Sequence, residues 1–398
     1  MGGVRRVVAL LGVVTIAAYG STFYAFGVLL EPVHADTGWS RGAIGAAYSV
    51  SLVLGGLGAA IGGRLLDAWG GRRVLVAGAV LGALPLGLAG QVDSAGAFVA
   101  VWGLGAGVVA ATAFYHVTMV VTVRAAGGAR ASTFAALTFL GGLSSPIYLP
   151  LTAGLIERLG WRDAQLVLGA SLAVVLVLAA LALPAGSGAG QPAGATAERL
   201  AEALRRPGVR VFVVATAGAS LVGTVLNTYQ VAAMQWAGLT LVAASGMAAI
   251  RGVASLPGRA LLAPVVARLG PAGALAAAYT VMAVGTLALL AGGGGVTVYA
   301  LTTGVAYGAV LPLQTLVGAD LFDADRLGSR LGSLQAVTSV VSAAGPPLAG
   351  VVVDATGSFV AVIVVVSAGF AAAALGIRRT AASRPAAVRP VAGPASGG

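Results

Sequence analysis

The sequence predicts an all-α polytopic membrane protein with twelve transmembrane helices in two six-helix halves. Hydrophobic residues make up 58% of the 398 residues, charged residues only 9%, and the mean hydropathy is +0.97. A water-soluble domain cannot bury so large an apolar fraction. The third observation is that apolar runs of about 20 residues, enough for a helix to cross a bilayer, recur along the whole chain.

Twelve such runs are separated by short breaks marked by charge, glycine or proline. Transmembrane strands are excluded because they are shorter and alternate polar with apolar residues. The first run follows Arg5 and Arg6 but continues without a small-residue cleavage pattern, which indicates a retained span rather than a signal peptide. The predicted spans are 7–31, 42–66, 74–91, 96–123, 132–156, 163–183, 209–232, 244–267, 271–291, 296–319, 330–353 and 359–377.

The distribution of arginine predicts the topology. All 23 basic residues are arginines, and they follow the membrane rather than forming a compact patch that would bind nucleic acid. With the N-terminus inside, eighteen lie in inner segments, two lie within a span, and only Arg41, Arg158 and Arg162 lie outside. The positive-inside rule therefore predicts both termini in the cytoplasm. The lysine-free, alanine- and arginine-rich composition suggests a GC-rich bacterial genome and hence the bacterial plasma membrane.

A proline- and glycine-rich break divides the chain. The predicted units are an N-terminal half, 1–183, a cytoplasmic linker, 184–208, a C-terminal half, 209–379, and a disordered tail, 380–398. Within the linker, ERLAEALRR (198–206) predicts an amphipathic helix on the inner leaflet. The chain has no cysteine, so no disulfide or thiolate metal site is expected. No metal or cofactor is predicted, and we expect a monomer in the lipid bilayer.

One inner segment concentrates charge: GRLLDAWGGRRVL, from Gly63 to Leu75. Gly63, Leu65, Asp67, Gly70 and Arg72 match the pattern G-x-L-x-D-R-x-G-R-R, while Ala68 and Gly71 depart from it. At this position after span two, the segment resembles the signature of the major facilitator superfamily. The resemblance implies the major facilitator fold, alternating access, and a cytoplasmic gate motif of Gly63, Asp67, Gly70 and Arg72. In the second half the equivalent segment is degenerate, with Ala267 where an aspartate would stand.

Three further segments narrow the resemblance. They are FGVLLEPVHADTGWSR (Phe26–Arg41), LIERLGWRDA (Leu155–Ala164) and GPPLAGVVVDATGSF (Gly345–Phe359). They are similar to segments of the monocarboxylate-transporter-like branch. This implies a small organic anion as substrate, with proton symport as an option.

Two arginines inside span eight point to the same substrate class. All twelve carboxylates lie in predicted loops or at span ends, so none is available mid-membrane to neutralise Arg259. A planar guanidinium without an acid partner suits a carboxylate ligand. Arg259 lies roughly 13 Å from the inner face and matches a span-eight arginine that contacts substrate in the resembled branch. Arg251 is nearer the outer end, where it either contacts substrate or reaches outward to water.

Other polar residues occur in spans expected to surround the transport path. Tyr115 and His116 are adjacent, so only one of them faces the cavity. His116 is either a proton carrier or a packing residue. The further predicted substrate contacts are Tyr19, Asn227 and Tyr307, with Gln230 and Gln314 as additional polar candidates, whereas Tyr24 and Tyr299 are expected to be interfacial anchors. Ser144, Ser145, Pro146, Pro346 and Pro347 are predicted hinge or packing features.

Rival functions are weaker. An enzyme is not expected, because no nucleophile, metal or phosphate-loop motif occurs and the glycine strings lie inside apolar spans. A channel or receptor fits the two-half organisation less well than a carrier. The alternative is an exporter of a drug or secondary metabolite, although GGLSSPIYLPLTAG (Gly141–Gly154) departs from the span-five exporter pattern. The direction of transport and the coupling ion stay open at this point.

Overall fold

The computed structural model describes residues 2–126, 130–183, 204–322 and 327–382, and every regular element in these ranges is helical. Ten helical stretches there are long and apolar enough to cross a membrane, which confirms the predicted all-α membrane class. The α-helices are α1 Gly2–Tyr19, α2 Ala25–Thr37, α3 Arg41–Gly78, α4 Leu84–Leu88, α5 Ala95–Ala113, α6 Tyr115–Ala126, α7 Arg130–Gly141, α8 Ser144–Ala182, α9 Pro207–Trp236, α10 Leu241–Ala260, α11 Leu262–Leu287, α12 Gly293–Leu321, α13 Leu327–Ala343, α14 Gly345–Thr356 and α15 Val360–Ala382.

Short polar residues begin three of these helices. Ser40, Ser94 and Thr240 each accept a hydrogen bond from the backbone N–H three residues on, at 3.1–3.2 Å, and so cap α3, α5 and α10. Such a cap satisfies an N–H group that the first helical turn leaves free. At the other terminus of α2, Gly38 adopts a left-handed conformation and donates to the carbonyl of His34.

Two glycines bend long helices at equivalent places in the sequence. Gly70 in α3 has φ 74° and ψ 163°, and Gly270 in α11 has φ 68° and ψ 168°. Only glycine adopts this backbone conformation without large strain. The bends lie three residues after Asp67 and Ala267, so the backbone geometry repeats although the acidic side chain does not.

Several predicted spans are interrupted rather than continuous. The span predicted at 96–123 breaks at Phe114, whose ψ of 177° ends α5 before α6 begins. The span predicted at 132–156 breaks at Gly142 and Leu143, just before the predicted hinge around Pro146. These corrections have a physical basis, because discontinuous helices occur in membranes where the freed backbone groups lie against protein or a cavity.

The parts of the chain before and after residues 184–203 approach closely at one end of the bundle. A Cβ placed on Gly27 would lie 2.9 Å from the carbonyl of Thr228, and one on Gly45 would lie 2.9 Å from that of Pro346. We call this the Arg41 end. Asp67 lies about 39 Å further along α3, at what we call the Asp67 end.

Two predicted features lie outside the described residues. They are most of the amphipathic helix predicted at 198–206 and the tail from residue 383 onward.

Candidate functional site

Arg251 is the centre of a buried polar cluster in the C-terminal part. Its side chain, on α10, is only 5% exposed. Its Nη1 donates to Asn227 Oδ1 at 2.8 Å and to Gln230 Oε1 at 3.2 Å, both on α9. Its Nε donates to Thr303 Oγ1 on α12 at 3.0 Å. Three helices therefore hold the guanidinium in one orientation, deep in the bundle rather than reaching outward to water.

Two tyrosine rings of α12 complete this cluster. The guanidinium carbon of Arg251 lies 4.9 Å from the ring centre of Tyr307 and 5.7 Å from that of Tyr299. The rings are tied to the amides, since Asn227 Nδ2 donates to the Tyr307 hydroxyl and the Tyr299 hydroxyl donates to Gln230 Oε1, both at 3.4 Å. A cation over an aromatic face is attracted by the ring quadrupole.

Helical spacing and glycine explain why these groups meet. Tyr299, Thr303 and Tyr307 are four residues apart and so share one face of α12. That face lies against α10 because Gly304 and Gly308 have no side chain there. A Cβ on either glycine would overlap a carbonyl of α10. The close backbone contact positions the cluster.

The charge of Arg251 is not compensated by any of its hydrogen-bond partners among the described residues. Asn227, Gln230 and Thr303 are neutral, and Nη2 of Arg251 is buried without a hydrogen-bond partner among the described residues. A buried cationic donor left unpaired is costly, more so than a neutral one. The arrangement is therefore chemically suited to an anion that accepts hydrogen bonds from Nη2.

An aromatic wall from the N-terminal part faces this region. Tyr19 stacks on Phe114 with ring centres 3.9 Å apart and lies 5.1 Å from Tyr115. Tyr24 packs against Phe23, with ring centres 5.1 Å apart. Tyr19, Tyr24 and Tyr115 are only partly buried, so part of each side chain stays accessible.

Arg259 makes a different contact. It is half-buried, and its Nη1 lies 3.4 Å from the carbonyl of Thr138 on α7, the same carbonyl that the Tyr115 hydroxyl approaches at 3.4 Å. Eight residues separate Arg251 from Arg259, about 12 Å along α10. Arg259 thus lies between the N- and C-terminal parts, nearer the Asp67 end than Arg251.

His116 lies at the break in span four. Its Nε2 is 3.2 Å from the carbonyl of Ala111, near the end of α5. Because a carbonyl only accepts, Nε2 carries the proton and donates. The break between the helices at Phe114 places Tyr115 in the aromatic wall and His116 against the Ala111 carbonyl.

The charged segment at the Asp67 end makes its hydrogen bonds to other residues of the N-terminal part. Asp67 Oδ1 accepts a hydrogen bond from Arg124 Nη2 at 2.8 Å. Arg72 Nε donates to the carbonyl of Ala180 at 2.9 Å, which ties the bend at Gly70 to the end of α8. Gly63 belongs to α3, like the other motif residues.

At the Arg41 end, an ion-pair network joins the two parts. Arg41 donates to both oxygens of Glu31 at 2.7 Å and to Asp354 Oδ1 at 3.2 Å. The backbone N–H of Gly42 donates to Asp354 Oδ2 at 3.2 Å, and the Tyr229 hydroxyl donates to the carbonyl of Pro346 at 2.9 Å. Hydrogen bonding to Glu31, and then to Asp354, raises the pKa of the Arg41 guanidinium. A cavity of about 440 Å³ lies beside Glu31 and Arg41.

The structure brings together several, but not all, of the predicted site residues. Arg251, Asn227 and Tyr307 form one cluster, and Tyr19 and Tyr115 lie in the aromatic wall. Arg259 approaches the same Thr138 carbonyl as Tyr115, outside the Arg251 cluster, and His116 lies against the Ala111 carbonyl. Thr303 was missed, although its spacing from Tyr307 could have indicated it. Tyr299, expected as an interfacial anchor, is instead fully buried beneath Arg251.

The described residues contain no group of three or more histidine or acidic side chains placed to hold a metal ion. Another cavity, of about 580 Å³, lies on the outside of the bundle beside Trp69 and Arg73. It is remote from Arg251 in the chain, and apart from Arg73 its lining is apolar, so the hydrogen-bonded cluster is the better candidate site.

Known structures share this fold. A crystal structure of the nucleoside transporter NupG is 16% identical, with a TM-score of 0.80 over 96% of this chain and 100% of that one. A D-xylose-proton symporter is 16% identical, with a TM-score of 0.73 over 93% and 95% of the two chains. The inward-open xylose transporter XylE from E. coli is 15% identical, with a TM-score of 0.71 over 94% and 95%.

A comparison with curated proteins found no match. The model of the Major Facilitator Superfamily, however, matches residues 11–318, which is most of the chain. The superfamily part of the sequence-based resemblance is therefore confirmed, and its members are membrane transporters rather than enzymes. The chain belongs to the major facilitator superfamily.

Proposed function

We propose that the protein is a secondary active transporter that moves a small organic anion by alternating access. One observation supports the anion: the buried guanidinium of Arg251 has neutral partners and an unpaired Nη2. A carboxylate at Nη2 would satisfy the free N–H groups and neutralise the charge in one step. The monocarboxylate-transporter-like segments of the sequence support the same substrate class.

In this proposal the carrier crosses the bilayer twelve times, six times on each side of residues 184–208. The ten candidate spans include Ala136–Ala182, whose 47 residues would measure about 70 Å as one straight helix. The hydrocarbon core is about 30 Å thick, and this stretch bends at Gly160 with φ 79°, so we count two crossings in it. The part of α3 before Gly70 supplies the remaining one.

The arginine distribution indicates which end of the protein faces the cytoplasm. We place the Asp67 end and both termini in the cytoplasm and the Arg41 end outside, because eighteen arginines lie in inner segments. The protein would act as a monomer in the plasma membrane. The close contacts at the Arg41 end then correspond to a state closed toward the outside.

Each residue of the cluster has a role in this proposal. Asn227, Gln230 and Thr303 orient the guanidinium, and Tyr307 and Tyr299 shield its faces from water. Tyr19 and Tyr115 contact the body of the substrate from the opposite wall. Planar substrates suit that wall because offset or edge contacts between rings are favourable. Arg259 would meet the anion nearer the cytoplasm.

The gating residues lie at the two ends. Arg41 and Asp354 would hold the outside closed, and their contact must break when the cavity opens outward. Asp67 would form part of the cytoplasmic gate. Its partner in this state is Arg124 of the same half, so it is available to the other half when the cytoplasmic side closes.

Binding can be tested by thermal stabilisation of the purified protein. We would compare benzoate, lactate and oxalate with uridine and D-xylose, which are neutral, on wild type, Arg251→Gln and Arg378→Gln. Arg378 is exposed near the end of α15, so its variant controls for the loss of one arginine. We expect a carboxylate to stabilise wild type and Arg378→Gln but not Arg251→Gln. Stabilisation by the neutral compounds alone, equal in all three proteins, would contradict the proposal.

The alternative is export of a drug or secondary metabolite. The stacked Tyr19 and Phe114 rings favour it, since they offer an apolar surface to an uncharged aromatic compound. A neutral or cationic aromatic ligand that stabilises wild type and Arg251→Gln equally would support this function. An anion effect that requires Arg251 would exclude it for this site.

A further inference from the structure

We infer that this carrier is an obligatory anion exchanger: it changes sides readily when an anion occupies the Arg251 cluster and slowly when the cluster is empty. The inference rests on the proposed anion site and adds the transport mode, which the fold and the family do not specify. It follows from the charges around Arg251 in the loaded and empty states.

The empty site carries a fixed positive charge. Arginine stays protonated at any physiological pH, unlike histidine or a buried lysine. The side chain is 5% exposed, and its hydrogen-bond partners Asn227, Gln230 and Thr303 carry no charge. Nothing in the cluster can release or take up a proton near neutral pH to cancel that charge.

Among the described residues, no acidic side chain joins Asn227, Gln230 and Thr303 as a hydrogen-bond partner of Arg251. The carboxylates of Glu31 and Asp354 pair with Arg41, and that of Asp67 pairs with Arg124, at the two ends of the bundle. His116 donates to the carbonyl of Ala111 in a different helix pair. Arg259, two turns along α10, adds a second positive charge rather than a compensating one.

Alternating access requires a state in which both ends are closed. In either open state a water-filled cavity near the guanidinium screens its charge, although the side chain itself is 5% exposed, and in the closed intermediate this screening is lost. With a bound anion the cluster is an ion pair and neutral. Without one, a desolvated cation must pass through the intermediate, which slows the empty carrier by on the order of 100-fold.

The consequence is strict coupling between two anions. An anion released on one side must be replaced by another before the carrier returns. Exchange of two anions of equal charge moves no net charge, so membrane potential does not drive it. A proton symporter would instead give net uptake into vesicles that contain no substrate.

Transport into proteoliposomes tests this directly. The probe is radiolabelled benzoate, lactate or oxalate, whichever stabilises the purified protein, with vesicles preloaded with the same unlabelled anion or left empty. We expect uptake to be about 100-fold faster into preloaded vesicles and unchanged by a potassium diffusion potential. Equal rates in empty and preloaded vesicles would overturn the exchange inference while leaving the binding proposal intact. If none of the three anions binds, the proposed function fails first.

A ligand-free measurement tests the charge argument independently. The chain contains no cysteine, so Ala35→Cys and Ala355→Cys accept fluorophores selectively. Both positions are exposed at the Arg41 end, one in each part of the chain. Single-molecule energy transfer between them reports how often that end opens. We expect rare opening transitions without ligand and frequent ones with the anion.

The informative variant is Asn227→Asp. It places a carboxylate where Oδ1 now lies 2.8 Å from Arg251 Nη1, and so neutralises the site without removing the arginine. We expect the empty variant to open about as often as the loaded wild type and to bind the anion more weakly. Arg251→Gln should also open without ligand, and Arg378→Gln should behave like wild type. Rare opening in a folded, monodisperse Asn227→Asp protein would overturn the inference.

Discussion

Arg41 and Asp354, 313 positions apart in the sequence, are joined by a 3.2 Å hydrogen bond between Nη1 and Oδ1. Arg41 is also held by both oxygens of Glu31, so its guanidinium is oriented before it reaches across to the C-terminal part. The contact therefore joins an oriented donor in the N-terminal part to a carboxylate in the C-terminal part. Such a contact suits a gate better than a static anchor, because the side chains are about one-fifth exposed and water can replace the bond.

Asp354→Asn should favour opening of the Arg41 end. Ion pairs of this exposure contribute about 0.2–1 kcal/mol, so the open population should rise about 1.5- to 5-fold. The distance between fluorophores at Ala35→Cys and Ala355→Cys measures it. Asp36→Asn is the matched control, because Asp36 accepts from Trp161 Nε1 within the N-terminal part. Equal shifts in the two variants would mean that surface charge, not the Arg41 contact, sets the population.

Tyr307→Phe and Tyr307→Leu distinguish the contribution of the hydroxyl to anion binding from that of the ring. The ring lies 4.9 Å from the Arg251 guanidinium carbon, whereas the hydroxyl accepts only a 3.4 Å hydrogen bond from Asn227. Losing a cation–π contact costs about 0.5–2 kcal/mol, so Tyr307→Leu should weaken anion binding about 2- to 30-fold. Tyr307→Phe should change the Kd little. Calorimetric titration with the stabilising anion measures both, and a larger loss in the phenylalanine variant would contradict this role.

Gly270→Ala should destabilise the protein through its backbone alone. Gly270 has φ 68°, and a Cβ there would meet no atom within 4 Å, so no steric overlap contributes. With ψ at 168° this positive-φ conformation is essentially restricted to glycine, and it costs about 1–3 kcal/mol for alanine. Gly246→Ala is the control, since Gly246 is helical and also has open space, and there alanine should stabilise by up to about 1 kcal/mol. Thermal unfolding in detergent should move in opposite directions for the two variants.

His116→Gln and His116→Leu test whether His116 carries protons or stabilises the break between α5 and α6. Glutamine can donate to the Ala111 carbonyl as Nε2 does, whereas leucine leaves that carbonyl unpaired. We expect His116→Gln to retain transport with an unchanged pH profile. His116→Leu should lower the free energy of unfolding by about 1–3 kcal/mol. A pH profile flattened by His116→Gln would instead identify the histidine as a proton carrier.

The sequence predicted the membrane class and the superfamily because hydropathy and short loop motifs are local properties. It could not predict which arginine is buried. Arg251 and Arg259 lie on one helix, and their surroundings depend on how α10 is rotated against α9, α12 and α7. The orientation is set by the close contacts at Gly304 and Gly308, which single-sequence periodicity does not reveal.

The same limit explains the break at Phe114. The segment from Ala95 to Ala126 is mostly apolar and contains no proline, so it is predicted as one helix. Its interruption is stabilised by a partner far away in sequence, because Phe114 stacks on Tyr19 of α1, and by a local contact of His116 with the carbonyl of Ala111. By contrast, the four-residue spacing of Tyr299, Thr303 and Tyr307 is present in the sequence and could have placed these side chains on one face of a helix. It gives no indication that Arg251 packs against that face.

Asp67→Asn should separate gating from binding. The change removes the charge that Arg124 Nη2 meets at 2.8 Å, yet Asp67 lies about 39 Å along α3 from Arg41 and is not among the hydrogen-bond partners of Arg251. In the proposed cycle Asp67 helps to close the cytoplasmic side. We therefore expect anion exchange to fall about tenfold or more, while thermal stabilisation by the anion is retained.

Asp93→Asn is the control for this last prediction. Asp93 is exposed in the segment between Gln91 and α5, so the variant removes one carboxylate without touching the gate motif. It should exchange anions at the wild-type rate. A loss of anion stabilisation in Asp67→Asn would show that the inner motif supports the binding site itself, because a gate that only controls access changes the rate of exchange and leaves the bound state intact.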